Sequence, residues 1–139
     1  MADYFTHFSC LFDVGSAENV ETALTLYARM EADLLADDDV CLSFTAVVST
    51  NHPTALWLYD DAGGQPEYVV AFVLSCAEAL GLSGRWGFVW AHTCSRARLD
   101  GFGGGAVVLD LGTRRELHWL DCSQWLADQL EAGVPREES

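Results

Sequence analysis

The chain has 139 residues, of which half are apolar and 12% are aromatic, and its formal net charge is −14. This length fits a single domain whose core needs no metal or disulfide, and the apolar content excludes a disordered tail. The seven basic residues are all arginine. So few cations argue against direct binding to a nucleic-acid backbone or to an anionic membrane surface.

The sequence also predicts a compartment. Its longest apolar run, residues 68–74, is far shorter than a membrane-spanning helix, which needs ~20 residues. The amino terminus lacks the basic and apolar regions of a secretion signal. The five cysteines lie at irregular spacings without a C-x-x-C pair, unlike a disulfide or zinc framework. We therefore predict a cytoplasmic protein with reduced thiols and no cofactor.

The first predicted elements are a strand and a helix. The aromatic-rich segment Tyr4–Asp13 predicts a buried strand. Ser16 is a predicted N-cap, and apolar residues then recur over residues 20–34 at the spacing of an amphipathic helix. The three aspartates at 37–39 are interpreted as an acidic connector after that helix.

A hairpin and a second helix are predicted next. Cys41–Ser49 and Ala55–Tyr59 have the composition of strands and are joined through the bend at Asn51–Pro53. Pro66 suits the first position of a helix. The apolar residues that follow it form the clearest helical stripe in the chain, and Gly81 is predicted to end it.

The last third of the chain predicts three strands and a final helix. Asp121 caps this helix through a D-x-x-Q motif, and Trp125, Leu126 and Leu130 are predicted to point inward. The strands are Arg85–His92, Ala106–Leu111 and Arg115–Leu120.

The element order β-α-β-β-α-β-β-β-α predicts an α+β fold. We expect one domain over residues 1–133, with a mixed or antiparallel sheet and helices on one face, and a frayed tail over residues 134–139. The first six elements suit a ferredoxin-like arrangement, to which a C-terminal hairpin and helix are added.

The segment His92–Gly105 gathers the side chains that suggest chemistry. Candidates for an enzyme or ligand site are His92, Cys94, Arg96 and Arg98, because nearby arginines favour a reactive thiolate. The spacing does not match a phosphatase loop, and the glycine run leads into a strand, whereas a dinucleotide-binding loop opens a helix. The favoured interpretation is structural: the glycines shape a bend or bulge, and the arginines pair with acidic residues.

Metal binding has little support in the sequence, and we predict no metal site. His7 and Cys10 are three apart on a strand and would face opposite sides. The consecutive aspartates 37–39 lack the alternation of a calcium loop.

The uneven charge suggests a binding function. Residues 13–67 hold eleven acidic residues and one arginine, a net of −10. Such a surface steers association with basic partners and can imitate the charge of a nucleic acid, although it also serves solubility alone. The predicted acidic face consists of Glu31, Asp33, Asp37, Asp38, Asp39, Asp60, Asp61 and Glu67.

Three segments carry a resemblance. THFSCLFDVGSAENV, Trp57–Asp61 and RWGFVWAHTCSRARLDGFGGGAVVLDL are similar to a group of small bacterial proteins from proteobacterial genomes and their mobile elements. The resemblance covers most of the chain and is more specific in its second half. It implies no catalytic residues; it implies an accessory anti-defence role, such as blocking a host defence nuclease as a nucleic-acid mimic.

Three functions therefore stay open from the sequence. The first is a non-enzymatic acidic protein that binds a basic partner, such as a nucleic-acid-handling complex. The second is a small enzyme or ligand-binding domain that uses the His92–Gly105 segment. The third is a homodimer that buries Trp57, Trp119 and Trp125, which exceed what a small core must hold.

Overall fold

A computed structural model describes residues 3–38, 42–99 and 101–132. The predicted order of strands and helices is present in this part of the chain. The elements are β1 (Tyr4–Asp13), α1 (Ala17–Asp38), β2 (Thr45–Val48), β3 (Ala55–Asp60), α2 (Pro66–Leu80), β4 (Arg85–Cys94), β5 (Gly103–Asp110), β6 (Arg115–Asp121) and α3 (Cys122–Ala132).

The strands form one open antiparallel sheet in the order β2-β3-β1-β4-β5-β6. Helix α1 connects β1 to β2, and β3 lies between these two strands in the sheet. Helix α2 connects β3 to β4, and β1 lies between those two strands. This is the split β-α-β arrangement that the element order predicts. The β5–β6 hairpin extends the sheet beyond β4, so the α+β class is confirmed.

The core lies between the sheet and the first two helices. Alternate strand residues face this side, including Phe8 and Phe12 of β1, both of which are buried. Phe72 of α2 is fully buried, and its ring centroid lies 5.8 Å from that of Tyr27 and 5.9 Å from that of Phe44. This aromatic cluster joins both helices to the sheet.

Local signals fix the helix ends as predicted. The Ser16 hydroxyl accepts a hydrogen bond of 3.1 Å from the Asn19 backbone N–H, which satisfies a free donor in the first turn of α1. Pro66 is the first residue of α2. Gly81 ends that helix in the left-handed conformation, with φ of 66°, which glycine adopts without steric cost.

Several predictions on bounds and burial are wrong. α1 continues through Asp38, so Asp37 and Asp38 belong to the helix, because Asp at a helix end is a weak stop signal. β2 begins at Thr45, and the glycines 103–105 lie inside β5. Trp125, Leu126 and Leu130 do not point inward, since no residue of α3 is buried. Asp39, Cys41, Asp100 and the tail from residue 133 lie outside the described residues.

In the described part of the chain, no helix combines the length and apolar character needed to cross a bilayer.

Candidate functional site

The sheet face opposite α1 and α2 carries exposed apolar side chains. The side chains that face this side in the middle of the sheet are uncharged in the described ranges, and several of them are exposed. A group of exposed apolar side chains on one face can mark an interaction site. The exposed apolar members are Leu11, Val47, Trp57, Val89 and Leu120.

An aromatic pair stands on this face. Trp57 and Tyr59 are two residues apart on β3, so their side chains lie on the same side, and their rings stack with centroids 4.0 Å apart and planes 25° apart. The Trp57 indole N–H donates a hydrogen bond of 2.8 Å to the hydroxyl of Ser9 on β1. This bond holds one edge of the indole while the ring stays 41% exposed.

The aromatic pair forms one wall of a hollow of about 450 Å³. His7 and Ser9 of β1 lie at its base, and His7 Nε2 shares a hydrogen bond of 2.7 Å with Thr93 Oγ1. The opposite wall is Val89 and Ala91 of β4. The hollow is therefore built by three neighbouring strands whose contributing residues are up to 84 positions apart in the chain.

Acidic side chains line the hollow where β3 ends. Asp60 and Asp61 contribute to its lining. One Asp60 carboxylate oxygen accepts a hydrogen bond of 3.0 Å from the Ala62 backbone N–H, while Asp61 is exposed. Aromatic faces attract cations, and a carboxylate beside them adds direct charge attraction. The combination suits a guanidinium or ammonium group.

The topology brings the predicted acidic residues to one end of the sheet. Glu31 and Asp33 lie in the last part of α1, Asp60 and Asp61 at the end of β3, and Glu67 in the first turn of α2. α1 runs back along the sheet from the end of β1, so it finishes at the end where β3 finishes and α2 begins.

The remaining members of the predicted acidic face are only partly described. Asp37 and Asp38 are the last residues of α1, and the structure describes only their backbone. Asp39 lies outside the described residues. The exposed Arg96 and Arg98 lie in the β4–β5 connection at the same end of the sheet, so this end carries both signs of charge.

The His92–Gly105 candidates do not gather around one hollow. His92 Nδ1 lies 3.0 Å from the Thr6 hydroxyl oxygen, in a cleft of about 240 Å³ on the helix side of the sheet. Neither Cys94 nor the two arginines belong to the described lining. This lining consists of Thr6, Gly64, Gln65, Pro66, Glu67, Trp90, His92, Trp119 and Asp121.

The β4–β5 connection closes over Cys94. The backbone of Gly101 packs on this residue so closely that a Cβ on the glycine would lie 2.6 Å from Cys94 Cβ. Arg96 and Arg98 extend from the connection into solvent. The glycine at 101 therefore has a packing role.

Two other thiols are held in the protonated state. Burial raises the pKa of Cys10 and of Cys76 to about 12 from an ordinary value of 9.0, because a charged thiolate loses solvation in the core. In the described ranges no three His, Cys, Asp or Glu side chains come together as a metal site. His7 and Cys10 lie on opposite faces of β1, as their spacing predicts.

The hollow was not predicted from the sequence. The alternation of β3 places Trp57 and Tyr59 on one face, and that signal is present in ALWLY. The positions of Ser9 and Val89 beside them depend on strand pairing between distant segments, which no local pattern encodes.

Comparison of the chain with protein-family models, curated proteins and solved structures finds no match. The functional proposal therefore rests on the geometry of the site.

Proposed function

We propose that this chain is a non-enzymatic, cytoplasmic binding protein that recognises a basic protein partner through the hollow on the open sheet face and the acidic end beside it. The observation that carries the proposal is the position of the stacked Trp57 and Tyr59 next to Asp60 and Asp61. An arginine or lysine of the partner would lie against the rings and be neutralised by a carboxylate.

The overall charge supports a partner of this kind. A net charge of −14 repels nucleic acids and acidic proteins and accelerates encounter with basic ones. Proteins that handle nucleic acids carry clustered Lys and Arg. We therefore propose a nucleic-acid mimic that occupies such a site. The resemblance to proteins of mobile elements makes a host defence complex the partner class to test first.

The enzymatic alternative has less geometric support. It requires His92, Cys94 and the arginines around a common cavity, whereas the cleft beside His92 is lined by His92 alone of these four residues. A binding function needs no such convergence.

The test is capture of purified host nucleic-acid-handling complexes on the immobilised chain at 50 and 500 mM salt. Asp60→Asn/Asp61→Asn is compared with the charge-matched control Glu21→Gln/Glu78→Gln, whose exposed side chains lie on the outer faces of α1 and α2. We expect capture at low salt, release by competing duplex DNA, and at least tenfold weaker binding of the aspartate variant.

Two results would contradict the proposal. Binding that duplex DNA leaves intact would exclude a nucleic-acid-binding surface on the partner as the contact. Equal loss of affinity in both variants would show that net charge acts without the site.

A further inference from the structure

The cleft beside His92 lies between the start of α2 and the end of β6, on the side of the sheet that carries the helices. We call it the His92 cleft. Its volume of about 240 Å³ equals the liquid volume of about eight water molecules. A space of this size suits a small ion or molecule rather than a nucleotide or a peptide.

Glycines of β5 open this space. Gly103 and Gly105 pair with His92 and Trp90 of β4, so they share the helix-facing side of the sheet with these residues. Strands on either side of a third strand lie about 9.6 Å apart, yet the ring centroids of Trp90 on β4 and Trp119 on β6 are only 4.9 Å apart. The two indoles meet because β5 has no side chain at 105.

The indole N–H of Trp90 has no protein partner in the described part of the chain. Trp90 is only 7% exposed, and buried tryptophans usually find an acceptor for this group. Among the described residues, every fully buried side-chain nitrogen or oxygen has a partner, so solvent must reach this N–H. The side chain lies on the helix side of the sheet and lines the His92 cleft. An oxygen of a ligand in the cleft would therefore supply the acceptor.

The formal charges that line the cleft are both negative. Glu67 in the first turn of α2 and Asp121 at the end of β6 belong to its lining, and no arginine of the described ranges does. Asp121 caps α3 through one carboxylate oxygen, and its other oxygen accepts no hydrogen bond from a described residue. Glu67 also offsets the partial positive charge of the α2 N-terminus. The cleft therefore favours a cation.

We infer that the His92 cleft binds a small quaternary ammonium ion that carries a hydroxyl group, of which choline is the simplest example. The planes of Trp90 and Trp119 are inclined at 48°, and aromatic walls of this kind attract methylated ammonium groups. The carboxylates of Glu67 and Asp121 add direct charge attraction. The Trp90 indole N–H donates to the hydroxyl oxygen of the ligand.

A quaternary ammonium ion suits this lining better than a metal ion does. Hard metal cations need several oxygen ligands at close range, and in the described ranges no three His, Cys, Asp or Glu side chains come together. The inference does not depend on the proposed function, because the hollow beside Trp57 lies on the opposite face of the sheet.

The experiment titrates the ¹⁵N-labelled full chain with choline. Its control is 3,3-dimethylbutan-1-ol, which has nearly the same shape but a carbon atom in place of the charged nitrogen. The five tryptophans of the chain each give an indole resonance in ¹H–¹⁵N spectra. We expect a choline Kd below about 1 mM and at least tenfold weaker binding of the neutral alcohol. The resonances of Trp90 and Trp119 should shift, while that of Trp125 stays in place.

One pair of variants tests the aromatic wall. Trp119 is 37% exposed, so Trp119→Leu keeps an apolar side chain at a tolerant position and removes the aromatic face. We expect it to raise the Kd for choline at least fivefold. Trp125→Leu is the matched control, since Trp125 is exposed on α3 and does not line the cleft. Circular dichroism checks that both variants fold.

A second pair of variants tests the carboxylates. Glu67→Gln/Asp121→Asn should also raise the Kd at least fivefold, and the asparagine keeps an oxygen that caps α3. Glu21→Gln/Glu78→Gln removes the same charge from the outer faces of α1 and α2 and should change the Kd less than twofold.

Choline that shifts no indole resonance at 20 mM would overturn the inference. Equal affinity for the neutral alcohol would also overturn it, because the cleft would then recognise shape without charge. An unchanged Kd in Trp119→Leu would place the ligand outside the cleft and overturn it as well.

Discussion

Gly105 of β5 lies directly against the indole ring of Trp90 on β4. A Cβ at this glycine would lie 2.6 Å from Trp90 Cζ2 and would also collide with the backbone carbonyl oxygen of Leu120. Both neighbours belong to the sheet, and Trp90 is buried, so neither can move without disturbing the core. The absence of a side chain at 105 is what allows β4, β5 and β6 to pack at this point.

We therefore expect Gly105→Ala to lower the free energy of unfolding by about 1–3 kcal/mol, as overpacking does. Gly63→Ala is the control, because a Cβ there meets nothing within 4 Å. Its effect should be within about 0.5 kcal/mol, as for other surface changes. Urea unfolding monitored by circular dichroism measures both. Equal stability of the two variants would show that the ring of Trp90 lies elsewhere.

Leu58 and Trp57 are adjacent on β3 and test which face of the sheet is covered. Leu58 is fully buried against the core, whereas Trp57 faces the open side. Leu58→Ala should lower the free energy of unfolding by about 2–5 kcal/mol. Trp57→Ala should cost less than about 1.5 kcal/mol despite the larger deletion, because much of the indole already contacts water. Chemical denaturation measures the free energy of unfolding of both variants. A larger loss for Trp57→Ala than for Leu58→Ala would contradict the assignment of the faces.

Elements that depend on local patterns were predictable from the sequence. The bounds of β1 and α2 follow from an aromatic-rich run and a helical apolar stripe that begins at Pro66 and stops at Gly81. Such signals depend on neighbours within one or two turns, and they need no knowledge of the rest of the chain.

Relationships between distant segments were not predictable. The apolar stripe of α3 identifies which side of the helix is apolar, but it does not say whether anything covers that side, so Trp125 was wrongly placed inward. The hollow likewise combines Ser9, Trp57 and Val89, which strand pairing alone brings together. The acidic residues were found by composition, and their common position at one end follows from the direction of α1.

The cap at Asp121 should control α3 without controlling the fold. A helix of 11 residues that buries no residue is marginal in water, so loss of the hydrogen bond to Gln124 should unfold it. Asp121→Ala should remove ~1 kcal/mol of helix stability and speed amide exchange in residues 122–132 at 1 µM. Asp121→Asn, which keeps an accepting oxygen, is the control. A large decrease in the midpoint of global unfolding would instead show that α3 belongs to the cooperative core.

Thiol reactivity should separate Cys122 from Cys10 and Cys76. With a pKa of about 12, Cys10 and Cys76 have about a thousandfold less thiolate at pH 8 than a thiol of ordinary pKa 9.0. Cys122 is exposed. Iodoacetamide should therefore modify Cys122 within minutes and leave Cys10 and Cys76 unmodified until the chain unfolds, as peptide mass spectrometry would show. Modification of Cys76 at the rate of Cys122 would contradict its burial.

The same two pKa values predict a loss of stability at high pH. Below pH 9 these thiols are protonated in the folded and the unfolded chain, so their contribution is fully present. Between pH 9 and about 12 the unfolded chain releases protons that the folded chain retains, so the free energy of unfolding falls as pH rises. The limit is about 1.4 kcal/mol per thiol for each pH unit. Urea unfolding at pH 8.0, 9.5 and 10.5 should give a shallower decline for Cys10→Ala/Cys76→Ala than for the parent chain. Parallel declines would mean that other groups, such as the tyrosines, account for the whole effect.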